Sequence, residues 1–376
     1  MTLIFEYRYQ GHWLEFLNHY YMGAVARPNE RFVVLVHSTF KEKNKFLEWP
    51  VTNNIEFDYI TDGELASFMQ QSSVLKRTLV SSRILSKYVK KHQADRVITS
   101  SIMQYLAFLN NFGYAKCKFI GIIYMIYLHE RKRQGIFGRL SNRLKYTIIA
   151  RSQKIEKAFV LNDQGSADEL NHIYNTKKFV CLPDPFVPLH VNNLEDTRYK
   201  YNIPVDNKIF LHFGGLSGSK GTLTIMEAIE HLSEDVAKQC TFIFAGKIYE
   251  DIYECFIQFY EQLKLKTQII VENRFVEFSE LSSFCNISHC MLVPYKRTSQ
   301  SSGAVGYAAQ FNIPVIGPGE GLLGNIIRSY QLGLDIYGIN AENLSLAIQS
   351  FQPYKIDGSK YTSANNLGDF INTIYG

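Results

Sequence analysis

Short apolar runs alternate with stretches of helical period along most of the chain. The apolar runs predict strands at 3–7, 32–36, 97–99, 119–128, 157–161, 209–213, 241–245, 269–271, 290–293 and 314–316. Between them, apolar residues recur at three- and four-residue intervals, which predicts helices at 75–92, 166–174, 223–232, 252–265 and 344–351. Strands that alternate with helices build βαβ units, so the pattern predicts an α/β protein with doubly wound parallel sheets.

The longest apolar run, 119–128, has ten residues, whereas a membrane-spanning helix needs roughly 20. This run therefore predicts a strand that is buried on both faces of a sheet. The first charged residue, Glu6, comes early enough to argue against a signal peptide. The six cysteines are scattered without a C-x-x-C pair. We expect a soluble, intracellular protein with reduced thiols and no zinc site.

The length of 376 residues predicts two domains. Four of the ten prolines fall within 182–204, together with a polar run, a composition that is typical of a linker. The expected organisation is an N-terminal domain over 1–187, a linker over 188–204, a C-terminal domain over 205–360, and a C-terminal helix over 361–376 that returns to the N-terminal domain. Doubly wound sheets bind ligands beyond the carboxyl ends of their strands, so we expect the ligand in a cleft between the domains.

The net charge of +5 conceals a difference between the two halves. Residues 1–190 carry 26 Lys+Arg and 16 Asp+Glu, which gives +10, whereas residues 191–376 carry 14 and 19, which gives −5. The small overall excess of basic residues argues against a dedicated nucleic-acid binder.

One segment of the basic half, 131–146, interleaves six positive charges, among them Arg131, Lys132, Arg133 and Arg139, with five apolar residues. A basic helix with an apolar stripe suits an anionic membrane surface, where each Lys or Arg contributes about 1 kcal/mol. A solvated surface helix with its apolar side in the core has the same pattern. The sequence leaves both interpretations open.

The loop 214–221 has the composition of a phosphate-binding turn. It reads GGLSGSKG, follows an apolar strand and opens a predicted helix. Glycines such as Gly214 and Gly215 let a backbone approach a phosphate closely, and free N–H groups at a helix start favour anions. Lys220 adds a positive charge, although its neighbours do not form a Walker A motif. A glycine-rich turn with a surface lysine has the same composition.

A second loop, 295–303, follows the strand predicted at 290–293 and precedes another helix. The hydroxyls of Ser301 and Ser302, together with Gly303 and the helix start, predict an anion-binding nest, although a capped surface loop is the simpler alternative. If both loops bind anions, they should lie at the same edge of the second sheet.

Five segments of the second half, in their order, resemble the donor-binding domain of GT-B glycosyltransferases, in particular the large retaining family 4 (group 1). The segments are 213–221, 241–246, 275–295, 302–316 and 321–334. The first of them resembles the family loop that runs from a glycine–arginine pair to a lysine–glycine pair. The resemblance covers about residues 205–350 well and the first half more loosely.

The resemblance implies a GT-B fold, with two Rossmann-like domains facing across a cleft, and a set of site residues. Lys220 would bind the donor diphosphate, as would Ser301, Ser302 and Gly303, next to the loop that holds Gly214 and Gly215. Gly11 falls where the family has a glycine loop facing the donor phosphates. Independently of the resemblance, His12 and the aromatic residues near it could line an acceptor pocket, although aromatic clusters are more often part of the core. His129, at the end of a long apolar run, resembles the active-site histidine that contacts the donor sugar.

The sequence departs from the family pattern at three positions. Gly215 stands where the family loop has its arginine, and the family's pair of glutamates falls near Ser299 and Tyr307. These departures leave the donor, and the choice between retention and inversion, open.

The function implied by the resemblance is transfer of a sugar from a nucleotide-diphosphate sugar to a hydroxyl of a lipid-linked or oligosaccharide acceptor. The product would be a surface polysaccharide, such as a capsule, an O-antigen or an exopolysaccharide. The enzyme would be cytoplasmic, peripheral on the inner face of the cytoplasmic membrane, and retaining. The resemblance also implies that the enzyme needs no cofactor and no metal, and the absence of an Asp-x-Asp motif agrees with metal independence. The alternatives are a nucleotide-sugar epimerase and a non-catalytic binding or scaffolding subunit.

Overall fold

The computed structural model describes residues 1–8, 12–44, 49–109, 117–124, 126–130, 135–190 and 197–376. The chain folds into two compact units. Unit 1 comprises Met1–Asp184 and Leu367–Gly376, and unit 2 comprises Pro185–Asn366.

Unit 1 contains a seven-stranded sheet in which every pair of neighbouring strands is parallel. Its strands are β1 Thr2–Phe5, β2 Phe32–His37, β3 Ile55–Ile60, β4 Arg96–Thr99, β5 Lys118–Ile123, β6 Ile155–Leu161 and β7 Phe179–Leu182. Its first six helices are α1 His12–Val25, α2 Phe40–Asn44, α3 Asp62–Met69, α4 Val74–His92, α5 Ile136–Arg151 and α6 Gln164–Tyr174. The strand order is β3-β2-β1-β4-β5-β6-β7.

Unit 2 contains a six-stranded parallel sheet of order β10-β9-β8-β11-β12-β13. Its strands are β8 Lys208–Phe213, β9 Cys240–Ala245, β10 Gln268–Glu272, β11 Cys290–Leu292, β12 Val315–Pro318 and β13 Gly333–Ile336. Its helices are α7 Thr197–Lys200, α8 Thr222–Glu230, α9 Glu234–Lys238, α10 Tyr253–Leu263, α11 Phe278–Ile287, α12 Gly303–Gln310, α13 Gly321–Ser329, α14 Ala341–Ser350 and α15 Ser359–Ala364. The last helix, α16 Leu367–Tyr375, belongs to unit 1.

Both sheets are buried on their two faces. In β1, for example, Leu3 and Phe5 pack into the apolar cluster that includes α4, whereas Ile4 packs into the cluster that includes α1 and α16. Successive side chains of a strand point to opposite faces, so a strand covered on both sides is apolar at every position. The predicted α/β class with two Rossmann-like doubly wound domains is confirmed.

The ends of several elements differ from the prediction. The strand expected at 119–128 ends at Ile123, and a 3-10 turn, Tyr127–Glu130, follows it. The segment expected as a linker, 188–204, is largely part of unit 2, because Leu189 and Ile203 are buried in its core. Pro188 and Pro204 are exposed at the two ends of this segment.

The C-terminal segment divides between the two units. α15 belongs to unit 2, where Tyr361 is buried, so the C-terminal unit extends beyond the expected residue 360. α16 packs against α1 in unit 1, where Phe370 and Ile374 are buried and the Tyr375 hydroxyl donates to the Tyr20 carbonyl at 2.6 Å. In the part of the chain that the structure describes, no helix has the length and apolar character needed to cross a membrane.

Candidate functional site

Two loops follow the central pair of strands in unit 2. β8 and β11 are parallel neighbours, so the loops after them, 214–221 and 293–302, emerge at the same carboxyl edge of the sheet. The strand order reverses at this pair, and such a switch point is where doubly wound sheets bind ligands. The expectation that both loops lie at one edge of the second sheet is confirmed.

The two loops touch each other through their backbones. Gly221 ends the first loop with φ +72°, and a Cβ atom there would lie 2.1 Å from the Pro294 carbonyl oxygen of the second loop. A side chain is therefore excluded by both conformation and space. The N–H of Lys296 donates to the carbonyl of Ser219 at 3.0 Å. These contacts fix the loops as one surface.

Lys220 lies on this surface, half-buried, in the 3-10 turn Gly218–Lys220. Its Nζ is 3.8 Å from the centroid of the Tyr295 ring, a cation–π contact. The hydroxyl of Ser302 donates to the Tyr295 hydroxyl at 3.4 Å, so this tyrosine joins the two loops. Lys220, Lys296 and Arg297 form no ion pair with any described residue. Their positive charges are available to an anion.

The residues around the start of α12 have different environments. Ser302 is buried and takes the N-cap position, but its hydroxyl makes no capping hydrogen bond with the helix. Ser301 is half-buried. Gly303 is exposed, and no heavy atom lies within 4 Å of the place that a Cβ would take. The space beside the helix start is therefore open.

The positions of the absent glutamates are not exposed in unit 2. Ser299 and Tyr307 are both buried. The Tyr307 ring packs edge-on against Phe186 at 5.5 Å and Phe213 at 5.7 Å between centroids. An aromatic cluster at the end of β8 thus surrounds Tyr307.

Tyr249 occupies the space next to Gly215. A Cβ atom at Gly215 would lie 2.9 Å from the Tyr249 hydroxyl oxygen. The Tyr249 residue is half-exposed. The backbone fixes this neighbour, because the N–H of Leu216 donates to Lys247 and the N–H of Tyr249 donates back to Leu216, both at 2.9 Å. A phenol therefore stands beside the position where the family pattern has arginine.

One carboxylate also contacts the first loop. Oδ2 of Asp251, an exposed residue, accepts the Gly218 N–H at 3.1 Å. The contact shows that this N–H points toward an anionic group. A phosphate that used the same N–H would have to displace Asp251.

A buried histidine supports the first loop from below. His212 of β8 places Nδ1 2.9 Å from the Leu292 carbonyl of β11, and Nε2 3.0 Å from the Thr222 hydroxyl. The Thr222 hydroxyl in turn accepts the Ser217 N–H at 3.1 Å. Burial, with a smaller effect of the Lys220 charge, lowers the pKa of His212 to about 4. The neutral ring therefore joins two strands and the loop.

In unit 1, His129 lies beside an aspartate at the carboxyl edge of the sheet. His129 is in the turn after β5, and Asp163 follows the neighbouring strand β6. His129 Nε2 is 2.6 Å from Asp163 Oδ2, and the other carboxylate oxygen accepts the Ser166 N–H at 3.0 Å, which caps α6. Burial alone would raise the pKa of Asp163, but the hydrogen bonds from His129 and Ser166 overcome it and lower the pKa.

Several predicted residues lie outside the described part of the chain. Gly11, Arg131, Lys132 and Arg133 are among them. His12 is the first residue of α1, but its side chain also lies outside the description. Their proposed roles stay predictions.

The apolar stripe of α5 is exposed rather than packed into the core. Ile136, Phe137, Leu140 and Leu144 are 58–88% exposed. The helix buries Tyr146 and Ile149 instead. Arg139 is also exposed, on the same helix. The alternative in which these apolar positions fill the core is wrong for the four exposed residues.

Sequence reasoning missed one charged cluster in unit 1. Glu6, directly after β1, is only 2% exposed, and both of its oxygens accept from the Arg8 guanidinium, at 2.8 and 3.1 Å. That guanidinium lies 3.3 Å from the centroid of the Trp13 ring. The sequence signal that could have identified this cluster is a glutamate and an arginine two residues apart at the end of a buried strand. The described residues contain no group of three or more His, Cys, Asp or Glu side chains that could hold a metal ion.

Solved structures with the same architecture span the whole chain. WaaG, a glycosyltransferase involved in lipopolysaccharide biosynthesis, aligns with a TM-score of 0.69 and 16% identity over 100% of this chain and 98% of its own. HepE of Anabaena, in complex with UDP and glucose, aligns with a TM-score of 0.70 and 13% identity over 99% and 97%. A UDP-forming trehalose-phosphate synthase from Burkholderia vietnamiensis aligns with a TM-score of 0.70 and 10% identity over 99% and 97%. No protein-family model and no curated protein sequence matches the chain. At these identities the likeness establishes the fold, and the chain has the expected GT-B fold.

Proposed function

We propose that the protein is a glycosyltransferase that moves a sugar from a nucleotide-diphosphate sugar to a hydroxyl group of its acceptor. The observation that carries the proposal is the pair of joined loops at the switch point of unit 2, with Lys220 between them and without an anionic partner. The solved structures of the same fold add support, since WaaG is a glycosyltransferase by name, HepE holds UDP and glucose, and the trehalose-phosphate synthase is named as UDP-forming.

The charges of this surface suit the leaving group of the reaction. Cleavage of the sugar–phosphate bond leaves negative charge on the nucleoside diphosphate, and positive groups fixed in advance stabilise it as it develops. Lys220 is the best placed of them, because Tyr295 restrains its ammonium group at the loop junction. Lys296 and Arg297 add charge from the second loop. The open space at Gly303 lets a phosphate approach the start of α12.

Lys220→Ala tests the proposal directly. Binding of UDP, GDP, ADP and dTDP is measured by calorimetry, and release of nucleoside diphosphate is measured with the corresponding sugar nucleotides. A hydrogen bond to a charged group contributes about 1.5–3 kcal/mol, so we expect roughly a 10- to 100-fold loss of nucleotide affinity. Lys238→Ala is the matched control, because Lys238 is exposed on α9, which precedes β9 and so lies at the opposite edge of the same sheet.

The outcomes separate the three functions. Binding and turnover that fall in Lys220→Ala and not in Lys238→Ala support the transferase. An epimerised sugar nucleotide without release of nucleoside diphosphate indicates an epimerase instead. A wild-type protein that binds none of the nucleotides and turns over none of their sugars contradicts the enzyme and favours a scaffolding subunit.

We further propose that the acceptor is lipid-linked and that unit 1 meets it at an anionic membrane surface, as in the synthesis of a surface polysaccharide. α5 supports this, because it exposes Phe137 and Leu140 together with Arg139. Exposed apolar side chains beside basic ones match the interface of an anionic bilayer. Retention of the sugar configuration and independence from metal are parts of the same proposal.

Vesicle binding tests the membrane surface. Phe137→Ser combined with Leu140→Ser should reduce sedimentation with phosphatidylglycerol vesicles, and Arg139→Gln should reduce it in a salt-dependent manner. Leu346→Ser is the control, since Leu346 is 64% exposed on α14 in unit 2. Unchanged binding in the α5 variants, or equal binding to neutral phosphatidylcholine vesicles, would contradict the proposed surface.

A further inference from the structure

We infer that Asp163 is a positioning residue: it holds His129 in one tautomer and leaves Nδ1 as the ring nitrogen that meets the bound sugar. The inference rests on the proposed function for the identity of the ligand. It rests on unit 1 alone for the geometry, because His129 and Asp163 follow the neighbouring strands β5 and β6 at the carboxyl edge of one sheet.

The position of the ring hydrogen follows from the chemistry of the partners. A carboxylate only accepts hydrogen bonds, so the contact of 2.6 Å between Asp163 Oδ2 and His129 Nε2 requires a hydrogen on Nε2. The hydroxyl of Ser166 lies 3.3 Å from the same nitrogen. Asp163 itself is ionised at neutral pH, since the hydrogen bonds that it accepts lower its pKa despite burial.

The carboxylate is fixed on its other side as well. Its Oδ1 accepts the Ser166 N–H, so Asp163 is the N-cap of α6 and cannot rotate without breaking the cap. The Asp163 side chain is 9% exposed and the His129 side chain 15% exposed, so water competes little for either group. Asp163, the N-cap of α6, thus fixes the orientation of the His129 ring in the turn after β5.

Nδ1 of His129 makes no hydrogen bond within the described residues. In the tautomer that Asp163 imposes, this nitrogen carries a lone pair and accepts a hydrogen from a hydroxyl group. Sugars present hydroxyl groups, so the expected ligand contact is a sugar O–H that donates to Nδ1. The contact orients the sugar and requires no proton transfer.

Asp163→Asn is the informative substitution because asparagine preserves the helix cap. When its carbonyl oxygen accepts the Ser166 N–H, its amide group faces Nε2 and donates to it. The hydrogen of the His129 ring must then move to Nδ1, which can no longer accept from the sugar. The variant thus inverts the tautomer without removing the cap.

The unit contains a matched control. His92 Nε2 lies 2.6 Å from Asp58 Oδ2, so this histidine–aspartate pair has the same distance as His129 and Asp163. His92 is the last residue of α4 and precedes the start of β4, so it lies at the opposite edge of the sheet. Asp58→Asn therefore perturbs an equivalent pair away from the candidate site.

The experiment combines NMR of protein labelled with nitrogen-15 at histidine and steady-state kinetics. The His129 signals are assigned with His129→Gln. We expect wild-type protein and Asp58→Asn to show the Nε2–H tautomer at His129, and Asp163→Asn to show the Nδ1–H tautomer. With UDP-glucose, UDP-galactose and GDP-mannose as probes, the turned-over donor should shift the Nδ1 signal, and its kcat should fall at least about 10-fold in Asp163→Asn. Its KM should change less.

The two readouts distinguish the possible failures. An Nδ1–H tautomer in the wild type, or the same tautomer and the same kcat in Asp163→Asn, would overturn the inference. Inversion of the tautomer with unchanged kcat would also overturn it, since Nδ1 would then not contact the sugar. Absence of turnover in the wild type, with the tautomer still set by Asp163, contradicts the proposed function and leaves the positioning of the ring supported.

Discussion

Acid should destabilise unit 2 in large part through the buried His212. His212 is 2% exposed, and both of its ring nitrogens make hydrogen bonds inside the core. A carbonyl only accepts, so Nδ1 carries a hydrogen toward Leu292, and Nε2 accepts from the Thr222 hydroxyl. A proton added at Nε2 would place a positive charge in the core. It would also require the Thr222 hydroxyl to accept a hydrogen bond from Nε2 where it now donates one.

The size of the effect follows from the pKa. Burial lowers the pKa of His212 to about 4, whereas a histidine in the unfolded chain has about 6.5. Between these values the unfolded state binds a proton that the folded state does not. The contribution to stability is therefore intact above about pH 6.5 and is lost as the pH falls. At pH 5 the loss is about 1.36 × 1.5, or about 2 kcal/mol, and it approaches about 3.4 kcal/mol at lower pH.

The assay must report on unit 2 separately. Both tryptophans, Trp13 and Trp49, lie in unit 1, so tryptophan fluorescence reports on unit 1 only. Cys285 and Cys290 are fully buried in unit 2 and serve instead. Their labelling by dithiodipyridine, a reagent that works at mildly acidic pH, is followed along urea titrations at pH 7 and pH 5.

His212→Asn removes the titration and keeps a donor for the Leu292 carbonyl. The wild type should lose about 2 kcal/mol more free energy of unfolding between pH 7 and pH 5 than this variant does. His289, whose pKa is also lowered by burial, is present in both proteins, so the difference isolates His212. Equal losses in the two proteins would refute the assignment of the effect to His212.

Three further predictions concern single positions. Cys255 is the one exposed cysteine of the six, so native protein should label there first, and mass spectrometry should find the four buried cysteines, Cys117, Cys240, Cys285 and Cys290, protected. Gly221→Ala should destabilise unit 2 by at least about 1–2 kcal/mol in the urea assay because of its positive φ and the close backbone, whereas Gly303→Ala should change stability by less than about 0.5 kcal/mol. Gly215→Ala should change stability by less than about 0.5 kcal/mol, since the group in the way is the far end of the half-exposed Tyr249 side chain, which can move aside.

The three strands that the sequence pattern missed are all edge strands, whereas of the four edge strands only β10 was predicted. β3, β7 and β13 were not predicted, and each lies at the edge of its sheet. An edge strand is covered less completely, so it tolerates polar residues such as Glu56 in β3 and Asp335 in β13, and its apolar signal weakens. The central strands are mostly apolar, and their positions were predicted to within a few residues.

The candidate site was predictable where it depends on local sequence. A glycine-rich loop after a strand has its own signature, and topology alone then places two such loops at one edge. The partners of the site residues had no such signal. Tyr295 restrains Lys220 from a different loop, and Asp163 is 34 residues from His129, so only the packed sheet brings them together. Pairs of this kind follow from tertiary structure, not from a motif.

The groups at the carboxyl edge of each sheet do not follow the net charge of that half of the chain. The first half is basic, yet two acids at the carboxyl edge of its sheet, Glu6 and Asp163, are buried and paired with Arg8 and His129. The second half is acidic, yet Lys220 is not paired with an acid at its central edge. Because charges separated by more than about 8–10 Å are largely screened at physiological salt, a ligand at either edge meets these few groups and not the average of the domain. The basic excess of the first half therefore affects binding to an extended anionic surface such as a membrane. The affinity for a bound diphosphate depends instead on the position of a single lysine, Lys220.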